Sequence, residues 1–518
     1  MLFNSYPFLL IFLPITALVF FSLGRHSHRL AAAWLGAASL FFYGYWNVAY
    51  VGLLLLSILF NYGVGFALTK GHDNRASRRN NLILTVGVGA DLALLGYYKY
   101  ANFFLDTANH LLATRWPLQD ILLPLGISFF TFTQIAFLVD VWSGKAREYN
   151  FIHYVLFVTY FPHLIAGPVL HHKEMMPQFA QPETYKLSVD NVTVGLTIFY
   201  IGLFKKAVLA DGVSPYANGA FAAADAQQSM DLLAAWGGAL AYTCQLYFDF
   251  SGYSDMAIGL SRLFGIVLPL NFNSPYKATS ISDFWRCWHM TLSRFLRDYL
   301  YVPLGGSRKG PFRRYGNLMV TMLLGGLWHG ASWNFVLWGG LHGVYLTINH
   351  AWRALRERVS RPGHGPGTVE RLVGWGLTFF AVVVAWVFFR ATTMAGALNM
   401  LQGMFGMHGV SLPAALLPAL GSAADSMRSW GVEFHLGGGT RFVSTWGWTL
   451  ALLSIALFLP NTQQLMRLHR PGLDFEPADG ESALEWRANA VWAWALAVIA
   501  AAGLLSLSQA TEFLYYQF

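Results

Sequence analysis

The chain has 518 residues, of which 55% are hydrophobic, 16% aromatic and only 12% charged, whereas soluble proteins carry about 25% charged residues. Its mean hydropathy is +0.43. This composition excludes a soluble or intrinsically disordered protein and favours one multi-span membrane domain over residues 1–518. The net charge of +8 is expected to mark cytoplasmic loops rather than a nucleic-acid-binding surface.

Apolar segments follow one another along the chain and predict an all-α integral membrane protein. Those long enough to cross a bilayer, or to enter it as re-entrant segments, are residues 7–23, 30–46, 49–69, 81–98, 121–141, 151–169, 192–210, 233–248, 253–270, 316–349 as a pair, 373–390, 442–460 and 488–507. The first segment has no basic residues before it and no small-residue cleavage site. We therefore predict a retained first span with the N-terminus outside.

Basic residues recur in every second loop, which predicts that these loops are cytoplasmic. They include Arg25, Arg29, Lys70, Arg75, Arg78, Arg79, Lys145, Arg147 and the arginines of 284–314 and 353–361. The same alternation predicts that residues 391–441 form an outer loop and that the C-terminal tail, residues 508–518, lies outside.

The most prominent ionisable residue in an apolar segment is His329, which lies in an uncharged stretch and is followed by Gly330. A histidine within a membrane is a functional candidate because it accepts and returns a proton near neutral pH. Gly325, Gly326 and Gly330 would let a substrate or a neighbouring backbone approach closely. His342, in a glycine-rich helix, is more typical of an interhelical hydrogen bond.

A second candidate segment begins with Ser280 and Asp283 at capping-box spacing. The helix that follows is predicted to place Trp285, Trp288 and His289 on one face at i, i+3 and i+4. This face is either an interfacial aromatic belt with one histidine or part of a functional site. The neighbouring arginines favour a site.

The sequence predicts no metal site. Cys244 and Cys287 are far apart and lie in no metal-type spacing. His163, His171 and His172 resemble a metal cluster in composition, but no carboxylate stands at a suitable spacing beside them.

Several contiguous motifs together resemble the membrane-bound O-acyltransferase (MBOAT) superfamily, and within it the bacterial polysaccharide branch that includes the alginate O-acetyltransferase membrane subunit. The motifs occur in order over most of the chain, at residues 96–103 (GYYKYANF), 123–129 (LPLGISF), 161–168 (FPHLIAGP), 245–256 (QLYFDFSGYSDM), 284–297 and 324–333.

The resemblance implies a ring of tilted transmembrane helices with re-entrant segments around a central channel, and a catalytic segment over residues 271–349. His329 matches the family's catalytic histidine, and His289 matches the second polar position. In such a site, His329 would be the base, and His289 would position the acceptor or stabilise the oxyanion. The residues predicted to contact substrate are Arg308, Lys309, Trp285, Trp288, Trp328 and Asp249.

The resemblance also implies the reaction and its partners. An acyl group, most simply acetyl, would pass from a cytoplasmic thioester donor, acetyl-CoA or an acyl-carrier thioester, to an exported polysaccharide such as alginate or cellulose. We expect no bound cofactor. The expected partners are a periplasmic acetyltransferase and membrane lipids, and the expected location is the bacterial inner membrane with both termini periplasmic.

Two other functions fit the residues alone. In a proton-coupled transporter or a flippase for a polysaccharide precursor, His329, His342, Asp249 and Asp255 would form a proton relay. Asp249 and Asp255 are otherwise buried polar scaffolding or the lining of a cavity. An inert scaffold for a polymer-secreting complex would tolerate the loss of His289 and His329.

The C-terminal tail contains Phe513, Tyr515 and Phe518 in the spacing F-x-Y-x-x-F. This resembles a tail motif of the same branch, including the small partner peptide of teichoic-acid D-alanylation, whose tyrosine is implicated as an acyl carrier. The resemblance implies that Tyr515 relays the acyl group. The alternative is an aromatic anchor at the membrane interface.

Overall fold

A computed structural model describes residues 1–70, 77–148, 150–165, 167–359, 367–475, 484–508 and 514. The described chain is mainly helical and has only two short strands, which confirms the all-α class. Among these residues, six helices are long and apolar enough to cross a membrane: Ala49–Lys70, Arg78–Leu112, Val189–Asp225, Thr368–Arg390, Gly439–Phe458 and Ala490–Ser508. The apolar helices Phe8–Gly24 and Ile127–Trp142 are shorter.

The α-helices of the first part of the chain are α1 (Leu13–Gly24), α2 (His28–Gly44), α3 (Ala49–Thr69), α4 (Arg78–Leu95), α5 (Ala101–Leu112), α6 (Ile127–Trp142), α7 (Phe151–Thr159), α8 (Phe161–Leu164), α9 (His172–Phe179), α10 (Val189–Phe204) and α11 (Asp211–Asp225). Turns of π-helix precede α1, join α4 to α5 and α10 to α11, and follow α14; they are Phe8–Phe12, Gly96–Tyr100, Lys205–Ala210 and Arg297–Tyr301.

The second part contains α12 (Leu232–Leu263), α13 (Ile281–Cys287), α14 (Met290–Leu296), α15 (Gly310–His329), α16 (Trp333–Val359), α17 (Thr368–Arg390), α18 (Met394–Met404), α19 (Leu417–Leu420), α20 (Ala423–Ser429), α21 (Gly439–Phe458), α22 (Thr462–Leu465) and α23 (Ala490–Leu505). Short 3₁₀ turns are Pro182–Tyr185, Pro275–Lys277, Ala414–Leu416, Arg467–His469 and Ser506–Ser508. Strands β1 (Val410–Pro413) and β2 (Val432–His435) pair in parallel, with Val410 opposite Val432.

The two spans predicted at 233–248 and 253–270 are wrong, because α12 is one continuous helix of 32 residues that ends at Leu263. Gly252 does not break this helix. A Cβ on Gly202 would lie 2.5 Å from the carbonyl oxygen of Gly252, so these glycines let the backbones of α10 and α12 approach closely. The predicted pair at 316–349 corresponds to the two helices α15 and α16, although neither is among the six helices that are long and apolar enough to cross a membrane.

Helix α6 begins later than the predicted segment 121–141, at Ile127. Pro124 and Gly126 precede it, and Gly126 has a left-handed φ of +67°. A Cβ on Gly126 would lie 3.0 Å from the carbonyl oxygen of Leu164. The extended residues before α6 are therefore packed against the short helix α8.

Candidate active site

His329 is the last residue of α15, and Gly330 continues the chain in an extended conformation. Its side chain is buried and its imidazole is surrounded by aromatic rings, with centroid distances of 4.9 Å to Trp328, 5.0 Å to Trp338 and 5.1 Å to Phe389. Within the described residues, the imidazole makes no hydrogen bond. Both ring nitrogens are therefore free to contact a substrate.

Close packing between α15 and α16 positions this histidine. A Cβ on Gly326 would lie 2.2 Å from the carbonyl oxygen of Phe335, and a Cβ on Gly330 would lie 2.1 Å from the Phe335 ring. A Cβ on Gly339 would in turn lie 2.2 Å from the carbonyl oxygen of Met322. The sequence left open whether Gly326 and Gly330 allow a substrate or a neighbouring backbone to approach. The structure shows the close approach of a neighbouring helix.

His289 is not on a helix face, and the prediction that it continues the helix of Trp285 is wrong. Helix α13 ends at Cys287, Trp288 is extended, and His289 has a left-handed φ of +42° before α14 begins. Ser280 does cap α13, as predicted, by accepting a hydrogen bond from the Asp283 N–H. A non-glycine residue with positive φ costs energy and is typical of functional sites.

Asn271 holds the ring of His289. The Nδ1 of His289 lies 3.0 Å from Oδ1 of Asn271, and that oxygen also accepts a hydrogen bond from the Thr291 hydroxyl at 2.9 Å. The backbone N–H of Thr291 points to the same atom, which identifies it as the amide oxygen. His289 therefore donates from Nδ1, and Nε2 is the acceptor of its neutral form.

The two predicted site histidines come together. The rings of His289 and His329 have centroids 6.5 Å apart with an interplanar angle of 56°, although the two residues are 40 positions apart in the sequence. Both side chains are buried. This pair can accept a proton and orient a hydroxyl group in a site that contains little water.

Of the three predicted tryptophans, Trp328 lies beside both histidines, with ring centroids 4.9 Å from His329 and 6.2 Å from His289. Trp285 donates a hydrogen bond from Nε1 to Nδ1 of His342 at 3.2 Å. Trp288 is buried against Phe284, at a centroid distance of 5.7 Å, and Trp328 stacks on Phe132 at 5.5 Å. This interhelical hydrogen bond is the role that the sequence favoured for His342.

Asp249 and Asp255 each lie in an ion pair with a lysine of the π-helical turn between α10 and α11. Asp249 is 2.7 Å from Lys206, which is also 2.6 Å from Asp211. Asp255 is 2.7 Å from Lys205. These contacts favour the scaffolding interpretation of both aspartates, while a direct contact of Asp249 with substrate stays a prediction.

A small cavity of about 40 Å³ adjoins His329. Its lining comes from the end of α15, the π-helical turn before α5 and the segment that leads into α6, and comprises Lys99, Leu123, Pro124, Leu125, Gly126, Ile127, Ser128, Phe129, Ile165, Trp328 and His329. Three of the sequence motifs, at 96–103, 123–129 and 161–168, thus meet at one place beside the candidate base.

Arg308 and Lys309 are exposed in the turn immediately before α15. A helix of 20 residues is about 30 Å long at about 1.5 Å per residue. These two residues therefore lie at the opposite end of α15 from His329, where they can meet the polar end of a long donor but cannot reach the reacting atoms.

Tyr515, Phe513 and Phe518 lie outside the described residues. The neighbouring Leu514 is described and is buried, as a member of the apolar cluster that also contains Trp288 and Phe389. In the described part of the chain, no group of histidine, cysteine, aspartate or glutamate residues could hold a metal ion.

Sequence reasoning missed Asn271, which holds His289, and Lys206, which pairs with Asp249. Asn271 lies 18 positions before His289 in an irregular segment where no periodicity marks it. Lys206 is a charged residue within the predicted span 192–210, and it could have been recognised because intramembrane ionisable groups usually have a partner nearby.

A buried histidine pair in an all-α membrane protein fits the class of membrane-embedded acyltransferases. The family model described as "MBOAT, membrane-bound O-acyltransferase family" matches residues 101–389. The chain belongs to this family, which confirms the predicted resemblance and enzyme class.

Curated relatives agree with the family match. A peptidoglycan O-acetyltransferase of Helicobacter pylori is 44% identical over 439 residues, covering 80% of this chain and 81% of the relative. A probable alginate O-acetylase AlgI of Pseudomonas putida is 39% identical over 528 residues, covering 100% of both chains. A teichoic acid D-alanyltransferase of Streptococcus thermophilus is 26% identical and covers 52% of this chain and 69% of the relative.

Proposed function

We propose that this acyltransferase moves an acetyl group from a cytoplasmic thioester donor across the inner membrane for the O-acetylation of an exported polysaccharide such as alginate or cellulose. The observation that carries the proposal is the buried pair of His289 and His329, at 6.5 Å, beside a small cavity. The relatives named alginate O-acetylase and peptidoglycan O-acetyltransferase support a polysaccharide acceptor.

His329 is the base in this proposal. A ring nitrogen takes the proton of the acceptor hydroxyl as the oxygen forms a bond to the acyl carbon. The carbon–sulfur bond then breaks, and the thiolate leaves with the proton that the imidazole has accepted. Because the His329 imidazole makes no hydrogen bond within the described residues, no contact has to be broken before it accepts the proton.

His289 positions the acceptor. Of the two roles that the resemblance implies, the contact with Asn271 supports positioning, because neutral His289 uses its N–H on Asn271. Neutral His289 therefore has no second N–H for an oxyanion, and the bond to Asn271 fixes its ring beside His329. The left-handed backbone of His289, between α13 and α14, supports this role, because such strained conformations are typical of functional sites.

The size and composition of the cavity support a short acyl group. Its volume of about 40 Å³ leaves room for only a few waters. The aromatic rings around His329 limit access of the water that would hydrolyse a thioester. A short acyl group is compatible with this cavity, and the relatives named O-acetylase and O-acetyltransferase support acetyl.

The charge pattern supports a cytoplasmic donor and periplasmic termini. Arg308 and Lys309 lie in the most basic segment of the chain, which the positive-inside rule assigns to the cytoplasm. The other end of α15 carries His329, so the acceptor would approach from the periplasm, where a partner acetyltransferase would receive the group.

The tail provides the proposed exit route for the acyl group. Tyr515 would accept the acetyl group at His329 and present the resulting ester to the periplasmic partner. Leu514, the residue next to it, is buried, which supports a tail that packs against the helices of the enzyme.

The purified enzyme is expected to release free CoA from acetyl-CoA when alginate oligosaccharide and the periplasmic partner acetyltransferase are supplied, because acyl transfer breaks the thioester. Thiol release measured with a chromogenic disulfide in detergent or nanodiscs tests this result. A transporter would leave acetyl-CoA intact. Absence of thiol release from folded wild-type enzyme would contradict the proposal.

Replacing Arg308 and Lys309 together by glutamine is expected to raise the apparent KM for acetyl-CoA several-fold, because two charges that attract the phosphates of the donor are lost. The increase should shrink at high salt. The matched control is Arg25→Gln with Arg29→Gln, which removes the same charge from another exposed basic turn. An unchanged KM in the Arg308 and Lys309 variant would show that these residues only anchor the turn.

A further inference from the structure

The motif at residues 96–103 has a structural feature that the proposed mechanism does not use. Its first five residues, Gly96–Tyr100, form a π-helical turn within the continuous helix that joins α4 and α5. Turns of this kind occur frequently at functional sites. Here the turn directs Lys99 and Tyr100 towards the end of α15.

The ammonium group of Lys99 contacts the C-terminal end of α15, where the candidate base His329 lies. Its Nζ donates to the carbonyl oxygen of Trp328 and lies 3.3 Å from both the carbonyl oxygen of His329 and Oγ of Ser128. A lysine has three N–H donors, and three acceptors are present. Tyr100 adds a fourth contact by donating to the carbonyl oxygen of Leu327 at 3.0 Å.

These contacts satisfy the carbonyls that every helix leaves unpaired in its last turn. The C-terminal end of a helix also carries a partial negative charge, which a cation stabilises. The last three carbonyls of α15, at Leu327, Trp328 and His329, all receive side-chain donors from the same π-helical turn.

Lys99 differs from the other lysines near the membrane interior in its partners. Lys205 and Lys206 each form an ion pair with an aspartate, whereas Lys99 forms no ion pair with any carboxylate of the described residues. A partly buried ammonium group without a counter-ion is costly. The carbonyls of α15 and the face of Trp328, 5.9 Å away, provide the stabilisation instead.

We propose that Lys99 is a positioning residue that fixes the C-terminal turn of α15, and with it the imidazole of His329, against the cavity. The inference rests on the proposed role of His329 as the base. Without Lys99, the last carbonyls of α15 lose a charged partner, and the final turn is free to unwind towards Gly330. Productive geometry at a base tolerates displacements of only about 1 Å before the rate falls by about 10²-fold.

Replacing Lys99 by methionine, which keeps the length of the side chain, is expected to lower kcat for CoA release by about 10²-fold. The KM for acetyl-CoA should change by less than twofold, because the donor's polar end lies at the other end of α15. Tyr100→Phe removes one neutral contact on the same helix end and should lower kcat several-fold. The matched control is Tyr97→Phe in the same turn, whose exposed ring contacts no residue of α15 and which should leave kcat unchanged.

A variant with Lys99→Cys separates positioning from folding. Alkylation of this thiol with 2-bromoethylamine restores a side chain of lysine length and charge, and is expected to recover at least a tenth of the wild-type kcat. Treated wild-type enzyme and a treated Lys99→Met variant control for reaction elsewhere, including at Cys244 and Cys287. A wild-type kcat in Lys99→Met would overturn the inference, as would a treated Lys99→Cys variant that stays inactive.

Failure of the positioning role of Lys99 can be distinguished from failure of the proposed function. If His329→Gln keeps the wild-type rate, His329 is not the base and the proposed mechanism fails whatever Lys99 does. If His329→Gln is inactive while Lys99→Met retains full activity, only the positioning role of Lys99 fails.

Discussion

Replacing His329 by glutamine is expected to reduce acyl transfer by about 10²- to 10⁴-fold, the usual contribution of a general base. Glutamine occupies a similar volume between Trp338 and Phe389 but cannot accept the proton of the acceptor hydroxyl. Initial rates of CoA release by purified variant and wild type provide the measurement. The protein should insert and accumulate normally, because the His329 side chain makes no hydrogen bond within the described residues.

Two other histidines provide controls for this experiment. His110→Gln changes an exposed residue and should have the wild-type rate. His342→Gln removes a ring that accepts a hydrogen bond from Trp285, so it should lower thermal stability more than kcat. Wild-type transfer by His329→Gln would remove this residue from the mechanism.

The part of the site that follows from hydrophobicity was predictable from the sequence. A histidine in an uncharged, glycine-rich segment is conspicuous whatever the fold, so His329 could be identified before its contacts were known. The pairing of α15 with α16 was also predictable, because two apolar segments stand close together and are rich in glycine. The family motifs then related His329 to His289.

The local backbone of His289 was not predictable by the same reasoning. Helical spacing placed Trp285, Trp288 and His289 on one face, whereas the helix ends at Cys287 and His289 adopts a left-handed conformation. Periodicity reports which residues face the core of a regular helix. It does not indicate where a tertiary contact stabilises a strained conformation, as the hydrogen bond to Asn271 does for His289.

The extent of helices was misjudged where small residues pack against other helices. Gly252 resembles a helix break in sequence, yet it lies within α12 and allows close contact with Gly202 of α10. The paired strands β1 and β2 within the predicted outer loop 391–441 were also missed. Each strand has only four residues, which is too short for a reliable pattern of alternation.

The basic turn and His329 lie at opposite ends of α15, so the proposed mechanism assigns the donor and the acceptor to opposite sides of the enzyme. Arg308 and Lys309 lie just before the first residue of helix α15, and His329 is its last residue. This one helix therefore connects the basic turn that would attract the donor to the site of acyl transfer. If the donor enters at the basic end, the acceptor approaches from the side of the cavity that Lys99 and Ser128 line. That side is where a tail outside the membrane would have to enter.

Replacing Tyr515 by phenylalanine is expected to eliminate acylation of the polymer, because the variant keeps the aromatic ring and loses only the hydroxyl that would carry the acetyl group. A phenol is a poor nucleophile until a base removes its proton, and His329 provides that base in the proposed mechanism. The measurement is acetyl content of the exported polysaccharide in cells that contain the variant as their sole copy. The matched control, Tyr516→Phe, removes a hydroxyl from the adjacent position and should leave acetylation unchanged.

The relay requires a covalent intermediate, which mass spectrometry can detect directly. Wild-type enzyme incubated with acetyl-CoA should contain a C-terminal peptide that is heavier by one acetyl group, and this peptide should be unmodified in Tyr515→Phe and in His329→Gln. The same tyrosine could instead anchor the tail through its ring alone, and then phenylalanine would replace it without loss. Normal polymer acetylation by Tyr515→Phe would therefore mean that the polysaccharide or its transferase reaches His329 directly, and that the burial of Leu514 serves only to hold the tail in place.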